Sequence, residues 1–506
     1  MSERRRHRER RTAGGVHQPP FRQPRLRYRP IEVISADQLE AIHQASLRIL
    51  AEMGMEVLLD EARDILKGVG AEVDGLRVRL DPALVESFIG VAPESFTLHA
   101  RNPDHSVVVG GDHMAFCTVG SAPNVADRAG GRRPGNFKDF CGLLRLAQSL
   151  NAIHLNGGYP VEPIDLHAST RHLDALSAVL TLTDKAPNCY SLGKERNRDA
   201  IELVRIARGV DDATLDEEPS VFTIINTNSP LKLDNPMSQG IIEMARRGQV
   251  TCVTPFTLAG AMAPITIAGA VAQQNAEALM GLVLTQAVKR GAPFVYGGFT
   301  SNVDMKSGAP AFGTPEYMKT AMMGGQLARR YRLPYRSSNV NAANTVDAQA
   351  AYESVFALWG AVMGGCNLMK HGAGWMEGGL QASFEKMVLD ADLLQMVMAF
   401  LDPPVVDDDA LGLDAIREVG PGGHFFGCAH TQERYETAFF APMLSDWRNA
   451  QAWEIAGRPD AYQKAEQVKD QLLAAYEEPP MDEGIREELA AFVARRKEEG
   501  GAPTDF

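Results

Sequence analysis

From about residue 113 the chain repeats one pattern. A short apolar or β-branched run ends in Gly, Asn, Ser or Pro, and a stretch with apolar residues at helical spacing follows. The runs are HMAFCTVG (113–120), IHLNGGYP (153–160), PNCYSLG (187–193), SVFTIINTNSP (220–230), QVTCVTPFTLAG (249–260), PFVYGGFTSN (293–302), PYRSSNVNAAN (334–344) and NLMKHGAGW (367–375). Segments such as NFKDFCGLLRLAQSL, RDAIELVRIAR, SQGIIEMARR and AQAAYESVFALWGAVM supply the helices. The fifth helix is bracketed by Pro264 near its start and Gly291 past its end. Alternating strands and helices predict parallel βαβ units, and eight of them predict an α/β fold of the (β/α)8 TIM-barrel type over residues 113–400. An open doubly wound sheet is the alternative that the same alternation allows.

The flanks lack this period. Residues 1–34 read as an extended basic arm. Ser35 is placed to cap a helix carrying Leu39, Ile42, Leu47, Leu50 and Met53, which Gly54 ends. Residues 35–112 alternate strand-like LRVRL, FTLHA and SVVVG with a helix at DPALVESFI, and read as an N-terminal α+β cap. Residues 401–506 read as a loop-rich segment followed by helices of mixed charge, a C-terminal helical extension suited to the surface or to an oligomer contact. A homo-oligomer is expected.

Charge narrows the partners. The 506 residues carry a net charge of −13, which argues against nucleic acid. The arm is the exception, because residues 1–29 hold ten arginines against Glu3 and Glu9. A basic arm on an acidic body is expected to grip an acidic subunit or protein partner. No apolar core of a secretory signal follows its charges, so a cytoplasmic location is expected. Between Arg247 and Glu277 no charge occurs over a length able to span a bilayer. Pro255, Pro264, several threonines and Gln273–Gln274 interrupt it, and a buried strand, a loop and a buried helix account for it without a membrane. Six cysteines without a Cys-x-x-Cys pair are expected to be reduced thiols.

In barrels of this type the chemistry sits at the carboxyl ends of the strands. There the sequence offers Asn156 to Tyr159, Asn226 to Asn228, Thr254 to Phe256, Tyr296 to Phe299, Ser337 to Asn344, and His371 to Glu377. This set is rich in aromatics, amides and hydroxyls and poor in Asp, Lys and Arg. His371 and Glu377, with His424 and His430 further on, leave a two-His, one-carboxylate metal site open as a lesser reading, and no metal is expected. No phosphate-binding loop, dinucleotide fingerprint or nucleophile elbow occurs at a strand end. Lys370 is discounted as a Schiff-base lysine, because strand alternation turns it toward the helices if His371 faces inward. Aromatics and amides with few charges suit a cation without donor hydrogens, such as a quaternary ammonium lying on ring faces. Tyr159, Phe256, Tyr296, Trp375 and Phe425 are the candidate rings. The segment GPGGHFFGCAHTQERYETAFF (420–440), with glycines around His424, Phe425 and Phe426, reads as a lid, a docking surface or a structural turn.

LAGAMAPITIAGAVAQQNAEAL (258–279), GAPAFGTPEY (308–317), QLARRYRLPYR (326–336), HGAGWMEGGLQASFEKMVLD (371–390) and GPGGHFFGCAHT (420–431) resemble the trimethylamine methyltransferase family, over a span from about Ile31 to Trp453. The resemblance implies a (β/α)8 barrel that demethylates a small methylated amine and passes the methyl to the cobalt of a separate corrinoid-binding protein. The corrinoid (cobalamin) would arrive on that partner, with no cofactor tightly bound by this chain. The partner would dock over the carboxyl face of the barrel, with residues 420–431 contributing. Archaeal trimethylamine enzymes carry pyrrolysine in the region matching 338–344. Here that region reads Ser338-Asn339-Val340-Asn341-Ala342-Ala343-Asn344, all standard residues. The expectation therefore moves to non-pyrrolysine relatives that act on glycine betaine and other quaternary amines. A quaternary nitrogen leaves as a neutral amine and needs no acid. The expected catalytic residues are Glu377 and His371. Glu377 would supply a counter-charge near the ammonium, and His371 with His424 and Asn339 would hold the carboxylate or hydroxyl end. Tyr296 and Trp375, backed by Tyr159 and Phe256, would form the cage, with Phe425 as a further ring. The alternatives are a non-catalytic betaine-binding or scaffold subunit of a C1 complex, or a trimethylamine-type demethylase.

Overall fold

The computed structural model describes residues 15–504. Seven parallel strands form one sheet in the spatial order Ala115–Thr118, Leu368–Ala373, Tyr335–Ser338, Phe294–Gly297, Val250–Val253, Phe222–Ile225, Asn188–Tyr190. The first strand in sequence lies against the last, as a sheet curling on itself requires. The two edges approach across the 153–160 segment, where Leu155 bridges Cys117 on one side and Ala186 on the other, both in parallel sense. The architecture is mixed α/β and barrel-like. Seven of the eight expected runs are extended strands, and the 153–160 run makes only those single bridges. At Gly157 its backbone crowds the end of the first strand: a Cβ there would lie 2.1 Å from the Thr118 carbonyl oxygen.

The strand residues are buried on both faces, because each run is followed by a helix that covers the sheet. Polar residues in the loops that follow the runs cap those helices. Asn136, Asp234, Thr314, Asp347 and Ser383 each accept a hydrogen bond from a first-turn backbone N–H. The same loops that start the helices therefore build the carboxyl face of the sheet.

The uncharged 248–276 stretch resolves into the strand Val250–Val253, a second short strand Phe256–Ala259 paired in parallel with Phe299–Val303, and the front half of the helix Ile267–Val288. That helix is buried nearly all round because it is covered twice. One side faces the sheet. On the other lies the helix Ala36–Arg48, whose Ser46 hydroxyl donates to the Ala272 carbonyl at 2.8 Å. Among the described residues no helix is long and apolar enough to cross a membrane. Ser35 caps Ala36–Arg48 through a reciprocal box with Gln38. The strands Arg77–Arg79, Ser95–Leu98 and Val107–Gly110 and the helix Pro82–Ile89 fall where the sequence places them. The N-terminal sheet joins the body where Met55–Val57 pairs in parallel with Lys232–Leu233.

The described part of the arm grips its own chain. Arg22 pairs with Asp402 and Arg25 with Asp112, and the Arg22 carbonyl accepts from His154 Nε2 at 2.8 Å. The arginines at positions 4–11 lie outside the described residues. At the other end, the helices Ala461–Ala474 and Glu483–Glu498 pack on the barrel helices of the same chain, tied by Lys469–Glu385 and Arg496–Asp199 ion pairs. All six cysteines are unpaired thiols.

Candidate functional site

Two small sheets rise above the carboxyl ends of the strands. One joins Phe256–Ala259, Phe299–Val303 and Pro310–Ala311; the other joins Trp375–Met376, Gln381–Ser383, Asn124–Asp127 and Gly131–Pro134. Between them and the strand ends lies a cavity of about 450 Å³, the size of a small-molecule site.

One wall is aromatic. Phe256 and Phe299 lie 5.0 Å apart between ring centroids, Phe299 and Trp375 meet edge to face at 6.4 Å, and Trp375 stacks on His371 at 5.4 Å. Gly379 makes room for the indole, since a Cβ there would sit 2.7 Å from Trp375 Cζ2. Asn341 holds the Trp375 carbonyl at 2.8 Å, and the buried Lys386–Asp390 pair fixes the preceding turn through Gly374 N–H, 2.8 Å from Asp390 Oδ2. Across the cavity stands Tyr190, whose hydroxyl donates to Ser121 Oγ at 2.6 Å and whose ring rests on Tyr159 at 4.1 Å. Glu162, beside Tyr190, lies past the strand ends. Burial raises its carboxyl above the usual range, against the pull of Arg171 at 3.5 Å.

The inner end is cationic. Lys370 Nζ reaches into the barrel, donates to the Gly157 carbonyl and lies 5.9 Å from the centre of the Phe222 ring. Arg336 lies over Phe299 at 4.9 Å and donates to the Gly298 carbonyl at 3.3 Å, while its Nε has no partner. Both side chains are buried, and among the described residues neither is paired with a carboxylate. Burial pushes the Lys370 ammonium down to about 8, and Arg336 pushes in the same direction. His371 accepts from Gly120 N–H at 3.2 Å, and burial, with Lys370 and Arg336 nearby, holds it well below the usual imidazole range. It is a neutral ring at pH 7.

Lys370 and His371 both line the cavity, which corrects the expectation from strand alternation. Between the Met369–Phe116 and Ala373–Thr118 pairs the last strand carries two extra residues, and His371 has a φ of +56°. The bulge breaks the period of two, so neighbouring side chains face the same way. Gly372 and Gly374 around His371 were the signal, because glycine inside a strand marks a bulge. Arg336, Glu162 and Tyr190 lie outside the strand ends offered by the sequence, and Phe299 lies within them but outside the set of candidate rings. Arg336 sits one residue before the strand end as read from sequence, and Glu162 lies beyond the loop that was considered.

Of the candidates, the structure brings Phe256, His371 and Trp375 into the cavity wall. Tyr159 stands one layer behind, packed against Phe140 and Tyr190. Tyr296 is in the core, its hydroxyl donating to Asn275 at 2.9 Å. Asn339 is buried and donates to the Gly372 carbonyl at 3.0 Å, bracing the His371 bulge. Glu377 is neutralised by Arg132, at 2.8 and 3.2 Å, outside the cavity lining. His424 and Phe425 lie on the exposed 403–442 segment. Among the described residues no three His, Cys, Asp or Glu side chains gather as a metal site.

A barrel-like α/β sheet with an aromatic and cationic cavity at its carboxyl face defines a small-molecule enzyme of the barrel-like class. The sequence narrows this to one family. Residues 1–501 match the trimethylamine methyltransferase (MTTB) family, and the chain belongs to it; it is a methyltransferase. It is 35% identical to the glycine betaine methyltransferase of Desulfitobacterium hafniense (strain Y51) over 470 residues, 93% of this chain and 98% of that one. It is 29% identical to the trimethylamine methyltransferase MttB of Desulfitobacterium hafniense (strain DSM 10664 / DCB-2), over 92% of this chain and 94% of that one. The fold is similar to that of the monomethylamine methyltransferase MtmB of Methanosarcina barkeri, with a TM-score of 0.50 at 10% identity, over 90% of this chain and 92% of that one.

Proposed function

We propose that this chain takes a methyl group from a quaternary amine bearing a carboxylate, of the glycine betaine class, and delivers it to the cobalt of a separate corrinoid protein. The scaffold is a (β/α)8 barrel in which the 153–160 segment supplies the eighth stave. The observation that carries the reading is the polarity of one cavity: an aromatic wall with Glu162 toward the mouth, and two buried cations without counter-ions within.

A trimethylammonium group has no N–H to donate, so ring faces and a carboxylate are its natural partners. Tyr190, Phe256, Phe299 and Trp375 provide the rings, and Glu162, shared with Arg171, lies beside them. A carboxylate suits the other end, because a buried cation without a partner is costly and a bound anion relieves it. Lys370 and Arg336 then hold the zwitterion with its methyls toward the mouth. Trimethylamine offers these cations nothing, which separates this reading from the trimethylamine-type alternative.

A 450 Å³ cavity fits the amine and is far too small for a corrin ring, so a corrinoid would meet the substrate from outside, at the mouth. Bound there, Co(I) supplies the nucleophile that accepts the methyl. This chain's residues position and desolvate. The C–N bond breaks with its electron pair staying on nitrogen, and the amine leaves neutral. A neutral His371 fits that chemistry, since no proton is needed and a cationic ring would repel the ammonium. The rings must not bind too tightly, because the amine loses its charge as the methyl departs. The partner, the cytoplasmic setting and the choice among betaines belong to the same reading.

The test is methylcobalamin formation, followed by absorbance without oxygen, from Co(I) cobalamin or a native corrinoid protein and a panel of amines. Glycine betaine is expected to react and trimethylamine is not. Failure of every amine to react, together with no heat of binding for any, would overturn the reading.

A further inference from the structure

The GPGGHFFGCAHT motif is not absorbed by the cavity. It lies in an excursion, residues 403–442, that leaves the barrel after Leu401 and returns where Asp392 accepts hydrogen bonds from Met443 and Leu444 N–H at 2.8 and 3.1 Å. The excursion has its own short helices at Asp408–Leu411, Leu413–Val419 and Ala429–Arg434. A bidentate Arg434–Asp409 pair at 2.6 and 2.8 Å locks them together, with Cys428 buried inside. It is a preformed flap, and its apolar side chains point outward. Val406, Leu413, Phe425, Phe426, Tyr435 and Phe439 are all exposed, Phe426 at 80% and Phe439 at 86%.

A second apolar surface lies on the barrel. Tyr352 and Phe356 share one stripe of the helix Ala348–Met363, and Met396 and Phe400 one stripe of Phe384–Leu401; all four are exposed. Trp359 and Phe400 join the stripes by an edge-to-face contact at 4.9 Å. At about 150–250 Å² per large ring, flap and face together expose on the order of 1,000 Å² of apolar surface, above the roughly 300–600 Å² patch a monomer tolerates and near the ~800 Å² per partner of a stable interface.

We infer that the flap of one copy covers the Tyr352–Phe356–Met396–Phe400 face of a second copy of this chain. Each copy carries both halves of the contact, so a two-fold arrangement satisfies both at once. The root of the flap favours this occupant over a protein that serves the cavity. A barrel helix runs from the carboxyl face toward the opposite end, so the flap springs from Leu401 at the end away from the cavity mouth.

The full chain should sediment at micromolar concentration as a multiple of 55.0 kDa. The double variants Phe426→Asp with Phe439→Asp, and Tyr352→Asp with Phe356→Asp, should each sediment as the monomer while keeping the wild-type circular dichroism and melting temperature. A photo-reactive benzoylphenylalanine in place of Phe426, in a mixture of isotopically light and heavy protein, should cross-link to 352–356 or 396–400 of the other copy. A monomeric wild type, an oligomer that survives both double variants, or cross-links confined to other surfaces would each overturn the inference, and a cross-link that forms only on adding the corrinoid protein would reassign the flap to that partner.

Discussion

Lys370→Met separates the two ends of the proposed substrate. The variant keeps a chain of similar length and removes the ammonium that the cavity buries without a counter-ion. A charge-assisted hydrogen bond to a carboxylate at a buried site contributes about 1.5–3 kcal/mol. At 1.36 kcal/mol per tenfold, affinity for glycine betaine should fall roughly 10- to 150-fold. Choline carries the same trimethylammonium and no carboxylate. In the wild type it meets Lys370 as a repulsive charge, so its affinity should stay level or rise in the variant. Calorimetric titration of both ligands against both proteins reads this directly, and a melting temperature no lower than that of the wild type shows that loss of the hydrogen bond to Gly157 left the fold intact. Equal losses for betaine and choline would mean that Lys370 supports the cavity without touching the carboxylate. No loss for betaine would place the carboxylate elsewhere.

Trp375→Ala removes one ring of the cage, worth about 0.5–2 kcal/mol; KM for the quaternary amine should rise roughly 2- to 30-fold with a smaller change in kcat, in steady-state methyl transfer. Glu377→Gln should leave turnover within about twofold of the wild type, because the carboxylate already faces Arg132; a large loss would return Glu377 to the reacting centre. The pH dependence has a definite sign. Lys370, pushed down to about 8, is charged below that pH and neutral above it, so betaine affinity should be full below pH 8 and fall toward about tenfold per unit above it, while choline affinity does not fall. The same depression makes the contribution of Lys370 to the stability of the unliganded fold rise between about pH 8 and 10.5, because the unfolded lysine still binds its proton there. Asp390→Asn strands a buried Lys386 and loosens the Gly374 turn; urea unfolding should show a loss of about 3–5 kcal/mol.

The repeating part of the fold was legible because burial repeats. A parallel strand covered by helices is apolar throughout, and the helix after it carries its own period; runs such as Val250–Val253 and helices such as Ala348–Met363 are both visible in the sequence. The 153–160 run illustrates the limit. Its composition is that of a strand, but the Gly157 contact with Thr118 is a matter of backbone distance. The cavity followed the same division. Phe256, His371 and Trp375 stand where strand ends put them. Tyr296 has the same local signature and faces the core instead, because Asn275 on the helix Ile267–Val288 takes its hydroxyl.

The cations are the more instructive case. A sequence reading counts charges at strand ends, finds few, and so leaves the carboxylate or hydroxyl end of the amine to His371, His424 and Asn339. Lys370 keeps the regular register and shares the inward face with Leu368, the bulge turns His371 to join it, and Arg336 enters from inside the strand, one position below the loop. Both cations were missed at positions next to the residues that were read, and under the proposed function they take over the carboxylate end. Regular secondary structure repeats over many residues and tolerates a local exception. A binding site is made of such exceptions, which cost stability that the fold recovers only when the ligand is present. In this chain the cost is concrete: two buried positive charges, a histidine at positive φ and an unpartnered guanidinium Nε, all within one cavity. Saturating betaine should therefore raise the melting temperature of the wild type more than that of Lys370→Met, because in the variant one of those charges has already been removed.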